Sequence, residues 1–286
     1  MTEIHRDFDP REFWDLTAER FGHDPLAVVI APTGTKIVNR IRDFFQEISL
    51  APFLASLQGK LVLEIGCGTG RWLTRAEDHG VKIIGLDLSS AMLSLAKVRL
   101  LPRKFMLINA DLSHIPLRPR VLDCVLSVTA LQHVIDQNQL VSAISEFGRT
   151  LRPDGAVILL ESASDQQKGE RVTEDYVTVI RSLESWKRLF EEQEFSLTEV
   201  RPVNPSLGAK PLDILRGSVL KHSRFYSNQL KGELVGIRRL LKILWDMTSS
   251  VLAVLSFPFD FLLREKLPSL SLHKVMVFRV KQAKTW

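Results

Sequence analysis

Residues 61–71 read L-V-L-E-I-G-C-G-T-G-R, and no other stretch of the chain restricts its fold so strongly. Leu61, Val62, Leu63 and Ile65 form a short apolar run, the pattern of a strand covered on both faces. Gly66, Gly68 and Gly70 follow at every second position, with Cys67 between the first two. Glycine tolerates positive φ and lets a ligand approach the main chain closely. Thr69 to Asp78 reads as a helix start, so the loop would turn backbone N–H groups toward an anion. The spacing is G-x-G-x-G, one residue shorter than the dinucleotide fingerprint G-x-G-x-x-G, which disfavours a nicotinamide oxidoreductase. Glu64, two residues ahead of the first glycine, suits a positively charged ligand group. Taken alone, the segment is also compatible with a plain strand–turn–helix junction.

Strands and helices alternate from this point. Strands are expected over 81–86, 105–109, 121–128, 156–161, 196–201 and 274–281, and helices over 89–100, 138–151 and 183–194. Arg152-Pro153-Asp154-Gly155 reads as a turn before the fifth strand. Ahead of the first strand, residues 8–24 form an amphipathic helix with Phe13, Trp14, Leu16 and Phe21 as apolar contacts. Residues 36–57 form one or two helices broken at Pro52. This rhythm predicts a doubly wound, mostly parallel α/β sheet, whose ligands bind at the carboxyl ends of the strands.

Two acids end strands beyond the glycine loop. Asp87 could accept hydrogen bonds from both hydroxyls of a ribose or cap the next helix. Asp111 could accept from an exocyclic amine or shape an Asx turn. Asp123 opens its strand, far from the carboxyl end, and is read as structural.

The glycine loop, Asp87, Asp111, the strand 122–128 followed by Leu131-Gln132-His133-Val134, and the turn 152–155 resemble five ordered motifs of the class I S-adenosylmethionine-dependent methyltransferases. The resemblance covers residues 60–161 well. It implies a Rossmann-like sheet of seven mostly parallel strands with S-adenosylmethionine as cofactor. It further implies cofactor contacts from Glu64, Gly66, Cys67, Gly68, Gly70, Asp87, Leu88, Asp111, Leu112 and Val128. The activity implied is methyl transfer, by in-line displacement, to a small-molecule or lipid-like acceptor. A cofactor-binding scaffold without turnover is the alternative. His133 is the catalytic candidate: an imidazole with a pKa near 6.5 suits proton removal at neutral pH, or it shapes the loop instead.

Charge and composition narrow the partners. The net charge of +5 is too small to argue for nucleic acid. The polar start of the chain is unlike a signal peptide, and the two cysteines suggest neither a disulfide framework nor a metal site, so a cytoplasmic setting is expected. The expected organisation is a helical segment at 1–58 capping the site, a cofactor-binding core at 59–202, an insert at 203–272, and the last strand within 273–286. The insert is unusual for such a sheet. Its first half is basic, with Lys210, Arg216, Lys221, Arg224, Lys231, Arg238 and Arg239. Its second half is apolar and aromatic from Leu240 to Leu263. Asp246, Asp260 and a break at Pro258 argue against a membrane span. Two alternatives stay open: a lid or homodimer interface, and a peripheral contact with an anionic membrane through residues 210–263.

Overall fold

The computed structural model of the protein describes residues 9–30, 34–165, 171–173, 178–208 and 237–281. Two helices come first. Helix α1 (Pro10–Phe21) starts at Asp9, whose carboxylate accepts from the Arg11 N–H at 2.8 Å, with Pro10 in the first turn. Helix α2 (Lys36–Ser56) starts at Thr35, whose hydroxyl accepts from the Val38 N–H at 3.2 Å. It runs unbroken through Pro52, against the expected interruption. Phe53 and Leu54, just beyond the proline, are buried on the sheet and hold the last turn in place.

Beyond them the chain alternates as its periodicity predicts: β1 (Leu61–Ile65), α3 (Arg71–Asp78), β2 (Lys82–Asp87), α4 (Ser90–Arg99), β3 (Met106–Asn109), β4 (Leu122–Val128), α5 (Gln137–Thr150) and β5 (Leu151–Ser164). Next come β6 (Arg171–Thr173), β7 (Thr178–Ser182), α6 (Leu183–Glu191), β8 (Phe195–Pro202), α7 (Ile237–Leu263) and β9 (His273–Val280). The main sheet has the order β3-β2-β1-β4-β5-β9-β8. Strands β1 to β5 pair in parallel, and β9 enters antiparallel between β5 and β8.

The apolar runs are continuous because both faces of the sheet are covered. Along β4, Cys124 and Leu126 point into one core with Phe45 and Leu54 of α2 and Trp72 and Leu73 of α3. Val125 points into the other, with Leu140, Ile144 and Phe147 of α5 and Trp186 and Phe190 of α6. Cys67 and Cys124 are buried free thiols. Asp123 is structural, as expected: its carboxylate accepts the Leu61 N–H at 2.7 Å and pairs with Arg152, tying the starts of β1 and β4 together.

Three further features depart from the sequence expectation. The Arg152–Gly155 turn does not precede β5 but bulges within it, since Leu122 pairs Leu151 and Cys124 already pairs Ala156. Strand β5 also continues past Glu161 to Ser164, where β7 joins it in parallel and β6 folds back on β7, giving nine strands among the described residues. Helix α7 is continuous through Pro258, and its stretch Lys242–Leu263 is long and apolar enough to cross a membrane by length and composition. The basic residues Lys210 to Lys231 of the insert lie outside the described residues.

Candidate functional site

A cleft of about 1060 Å³, counted with its open mouth, lies at the carboxyl ends of β1, β2 and β4. Its floor is the glycine loop. Gly66 has φ +65°, and a Cβ there would stand 2.5 Å from the Ala130 Cβ, so the β1 and β4 loops can approach this closely only through glycine. The Cys67 N–H donates to the Leu86 carbonyl at 3.0 Å and the Gly68 N–H to Asp87 Oδ2 at 2.7 Å, pinning the loop to the end of β2. Gly70 does not line the cleft. It caps α3 with φ +81° and packs under Leu100, where a Cβ would meet Leu100 Cδ1 at 2.9 Å. The other cofactor-contact candidates, Glu64, Gly66, Cys67, Gly68, Asp87, Leu88, Asp111, Leu112 and Val128, all line the cleft, as does His133.

The three acids differ in their surroundings. Glu64 is buried, and its Oε2 has no hydrogen-bond partner among the described residues. Burial pushes its pKa well up; the Arg71 guanidinium counters and the Asp87 carboxylate adds to the rise. Arg71 also lines the cleft and is held by Asp43, itself bound by Arg75 at 2.8 Å. An orphaned buried carboxylate facing a cleft is expensive unless a cationic or donating ligand group meets it.

Asp87 reaches the cleft but does not cap the next helix, whose N-cap is Ser89, its hydroxyl accepting the Met92 N–H at 3.0 Å. The Asp87 oxygens accept from the Gly68 N–H and, at 2.9 Å, from the Ser89 N–H. Burial raises its pKa to about 6 against those two donors. A carboxylate offers about four lone-pair sites, so acceptor capacity toward a ligand diol remains. Asp111 forms the Asx turn, with Oδ1 accepting from the Ser113 N–H at 2.8 Å and from the Ser113 hydroxyl at 2.6 Å. Its Oδ2 accepts from Gln139 Nε2 at 2.9 Å. Burial raises its pKa, but the hydrogen bonds from Ser113 and Gln139 outweigh that and leave it below the ordinary value.

The wall opposite the glycine loop is built by residues 128–134. Thr129, a β-branched residue, sits at φ +55°, a strained conformation that the surroundings must enforce. Glu161, fully buried near the end of β5, does so. Its Oε1 accepts from the Ala130 N–H at 2.9 Å, the Leu131 N–H at 2.8 Å and the Ser127 hydroxyl at 3.0 Å, and its Oε2 from the Gln132 N–H at 3.3 Å. Burial raises its pKa to about 7 in spite of those four donors. From the other side, buried Arg181 of β7 donates to the Val134 carbonyl at 2.8 Å and the Leu131 carbonyl at 3.3 Å. Hydrogen bonds to Glu161 and from Arg181 therefore clamp the short 3₁₀ turn Leu131–His133 at both ends. Sequence reasoning gave neither residue a role, although a glutamate closing the apolar run Ala156–Leu160 was a usable signal.

Pro10 and Trp14 of α1 and Val28, Val29 and Ile30 of the following turns give the cleft an apolar wall. Trp14 meets the His133 ring edge-on, with centroids 4.9 Å apart. Asp15 docks α1 on the start of α4 by accepting from the Ser89 hydroxyl and from the Ala91 N–H at 3.2 Å. Neither α2 nor any described residue of the insert lines the cleft.

Comparison with known proteins follows the same core. A family model described as "Methyltransferase domain" matches residues 62–155. A malonyl-[acyl-carrier protein] O-methyltransferase of Yersinia pestis is 33% identical over 129 residues, covering 42% of this chain and 46% of that protein. A tRNA (carboxymethyluridine(34)-5-O)-methyltransferase of Mus musculus is 27% identical over 139 residues, covering 46% and 20%. The chain thus spans less than half the length of either relative. Among solved structures, the O-methyltransferase from a trans-AT PKS multienzyme of Brevibacillus brevis, in complex with S-adenosyl-L-homocysteine, superposes with a TM-score of 0.54. It is 17% identical and covers 92% of this chain and 80% of that one, a likeness of fold. The cleft fits the cofactor of this family, S-adenosylmethionine. The unpartnered Glu64 Oε2 suits its positive charge, the cradle at Gly66 leaves no room for a side chain, and Asp87 has lone pairs for its ribose. Residues 62–155 thus match a methyltransferase domain, and the sheet order and glycine loop agree with those of the class I S-adenosylmethionine-dependent methyltransferases.

Proposed function

We propose that the protein is an enzyme that transfers a methyl group from S-adenosylmethionine to a small-molecule or lipid-like acceptor. The observation that carries the proposal is the buried Glu64 carboxylate, its Oε2 without a partner among the described residues, facing a cleft whose far wall is clamped rigid by Glu161 and Arg181. When bound, the cofactor supplies an electrophilic methyl group on a sulfonium. The residues of the chain then have three tasks. Glu64, the glycine loop, Asp87 and Asp111 bind and orient the cofactor, with Leu88, Leu112 and Val128 as the apolar surfaces beside it. Pro10, Trp14, Val29 and Ile30 close the mouth against water and present an apolar surface to the acceptor, which favours an apolar body on that molecule. His133 takes the proton of an acceptor hydroxyl, its ring held edge-on by Trp14. Holding both reactants in one geometry is worth up to roughly 7–11 kcal/mol of the barrier, so rigidity of the 129–134 loop matters as much as any base.

The test is mass spectrometry of lipid and metabolite extracts incubated with the protein and methyl-labelled cofactor. The proposal expects label in a small, apolar product, and loss of label transfer in His133→Ala with cofactor binding retained. Cofactor binding with no labelled product in any extract would favour the non-catalytic scaffold; label in RNA alone would overturn the acceptor class.

A further inference from the structure

Helix α7 is polarised the wrong way round for a helix covering a soluble core. Its inward side carries the polar groups and a few aromatics. Asp260 is buried and accepts the Leu207 N–H at 2.8 Å and the Ser256 hydroxyl at 2.9 Å. The Ser250 hydroxyl meets that of Thr35 at 2.9 Å, and Phe257 packs on Phe44 and Phe45 of α2 with centroids 5.4 and 5.5 Å apart. The outward side carries Leu244, Met247, Val251, Leu255, Phe259 and Leu262, at the three- and four-residue spacing of one helix stripe. Each is more than half exposed, up to 67% at Leu262. A contiguous apolar stripe of this length marks an interaction surface.

The charges around the stripe say what kind. Exposed Lys36 and Arg40 lie along the α2 edge of the seam between Thr35 and Phe44. Lys242, paired with Asp246, lies near one end of α7, and Arg264, paired with Glu265, and Lys266 follow the other. In sequence, residues 209–242 hold eight Lys and Arg against two Asp and Glu, more net positive charge than the +5 of the entire chain. A second copy docked on the stripe would bring two sets of Lys36, Arg40, Lys242, Arg264 and Lys266 together, which charge repulsion opposes. A span through the bilayer would strip the inner side from α2 and leave Asp246 and Asp260 in hydrocarbon. A helix lying flat, with its apolar stripe in the acyl boundary and cations at the headgroups, satisfies every group.

We infer that the outward face of α7 is a docking surface for an anionic lipid bilayer, with the helix lying in the plane of the membrane. Its occupancy is independent of the cofactor site, because α7 does not line the cleft.

The test is sedimentation of the full chain with phosphatidylcholine vesicles with and without phosphatidylserine, at low and high salt. The wild type sediments with phosphatidylserine vesicles at low salt and is released by high salt, while pure phosphatidylcholine vesicles leave it in the supernatant. The combined variant Leu244→Ser, Leu255→Ser, Phe259→Ser and Leu262→Ser stays in the supernatant with every vesicle. It keeps the far-ultraviolet dichroism and cofactor affinity of the wild type, so lost binding cannot be lost folding. Wild-type protein that ignores phosphatidylserine vesicles at low salt overturns the inference. So does a dimer by light scattering that the variant abolishes, which would assign the stripe to a second copy. Equal sedimentation of wild type and variant would show the stripe is covered by another part of the chain, and overturns it as well.

Discussion

At the scale of single residues, the chemistry depends on buried charge held against its own desolvation. Glu161 accepts four hydrogen bonds, yet its pKa stands near 7 against an ordinary 4.5. A carboxyl raised in the folded state binds its proton more tightly there than in the unfolded chain. Its stabilising contribution is therefore complete below about pH 4.5 and is lost as pH rises through about 7. Glu161→Gln mimics the protonated form, so melting temperatures measured across that window should fall less steeply with pH in the variant than in the wild type. Parallel slopes would show that Glu161 does not carry this titration. The candidate site was largely legible in the sequence where a residue type is tied to a backbone need. Gly66 must be glycine because Ala130 stands against it, and the acids at 64, 87 and 111 end or abut strands whose carboxyl ends converge. The clamp was not legible, because the partners of Glu161 and Arg181 lie about 30 and 50 residues away in sequence and no local pattern encodes them.

At the scale of elements, helix and strand identities followed from periodicity, and the errors fell where tertiary packing overrides a local rule. Pro52 and Pro258 were read as breaks, but both sit in helices whose flanking aromatics are packed, Phe53 on the sheet and Phe257 on Phe44 and Phe45. The hairpin β6–β7 was missed because β5 runs beyond Glu161 to recruit it. Helix α2 carries two duties: it covers one face of the sheet and it is the bed for α7. Phe45, fully buried, serves both. Phe45→Ala should lower the unfolding free energy by about 3–5 kcal/mol, read as a shift of the urea midpoint. A shift several times smaller would mean that α7 and the sheet can close over the cavity, and that the α2 seam is softer than its packing indicates.

At the scale of the whole molecule, one layered α/β unit separates two surfaces. The cleft at the strand ends is lined by the glycine loop, three acids, the clamped 129–134 loop and α1. Helix α7 lies on α2, away from the cleft, and turns its apolar stripe to the outside. The account as a whole stands on the first surface: that the orphaned carboxylate of Glu64 and the glycine cradle exist to hold S-adenosylmethionine. Calorimetric titration of the full chain and of Glu64→Gln with that cofactor tests this most directly. The account predicts saturable one-site binding to the wild type in the micromolar range. Binding should be weaker in Glu64→Gln by about 1.5–3 kcal/mol, the range for a hydrogen bond to a charged group. No saturable binding by the wild type, or equal affinity in the two proteins, would contradict it.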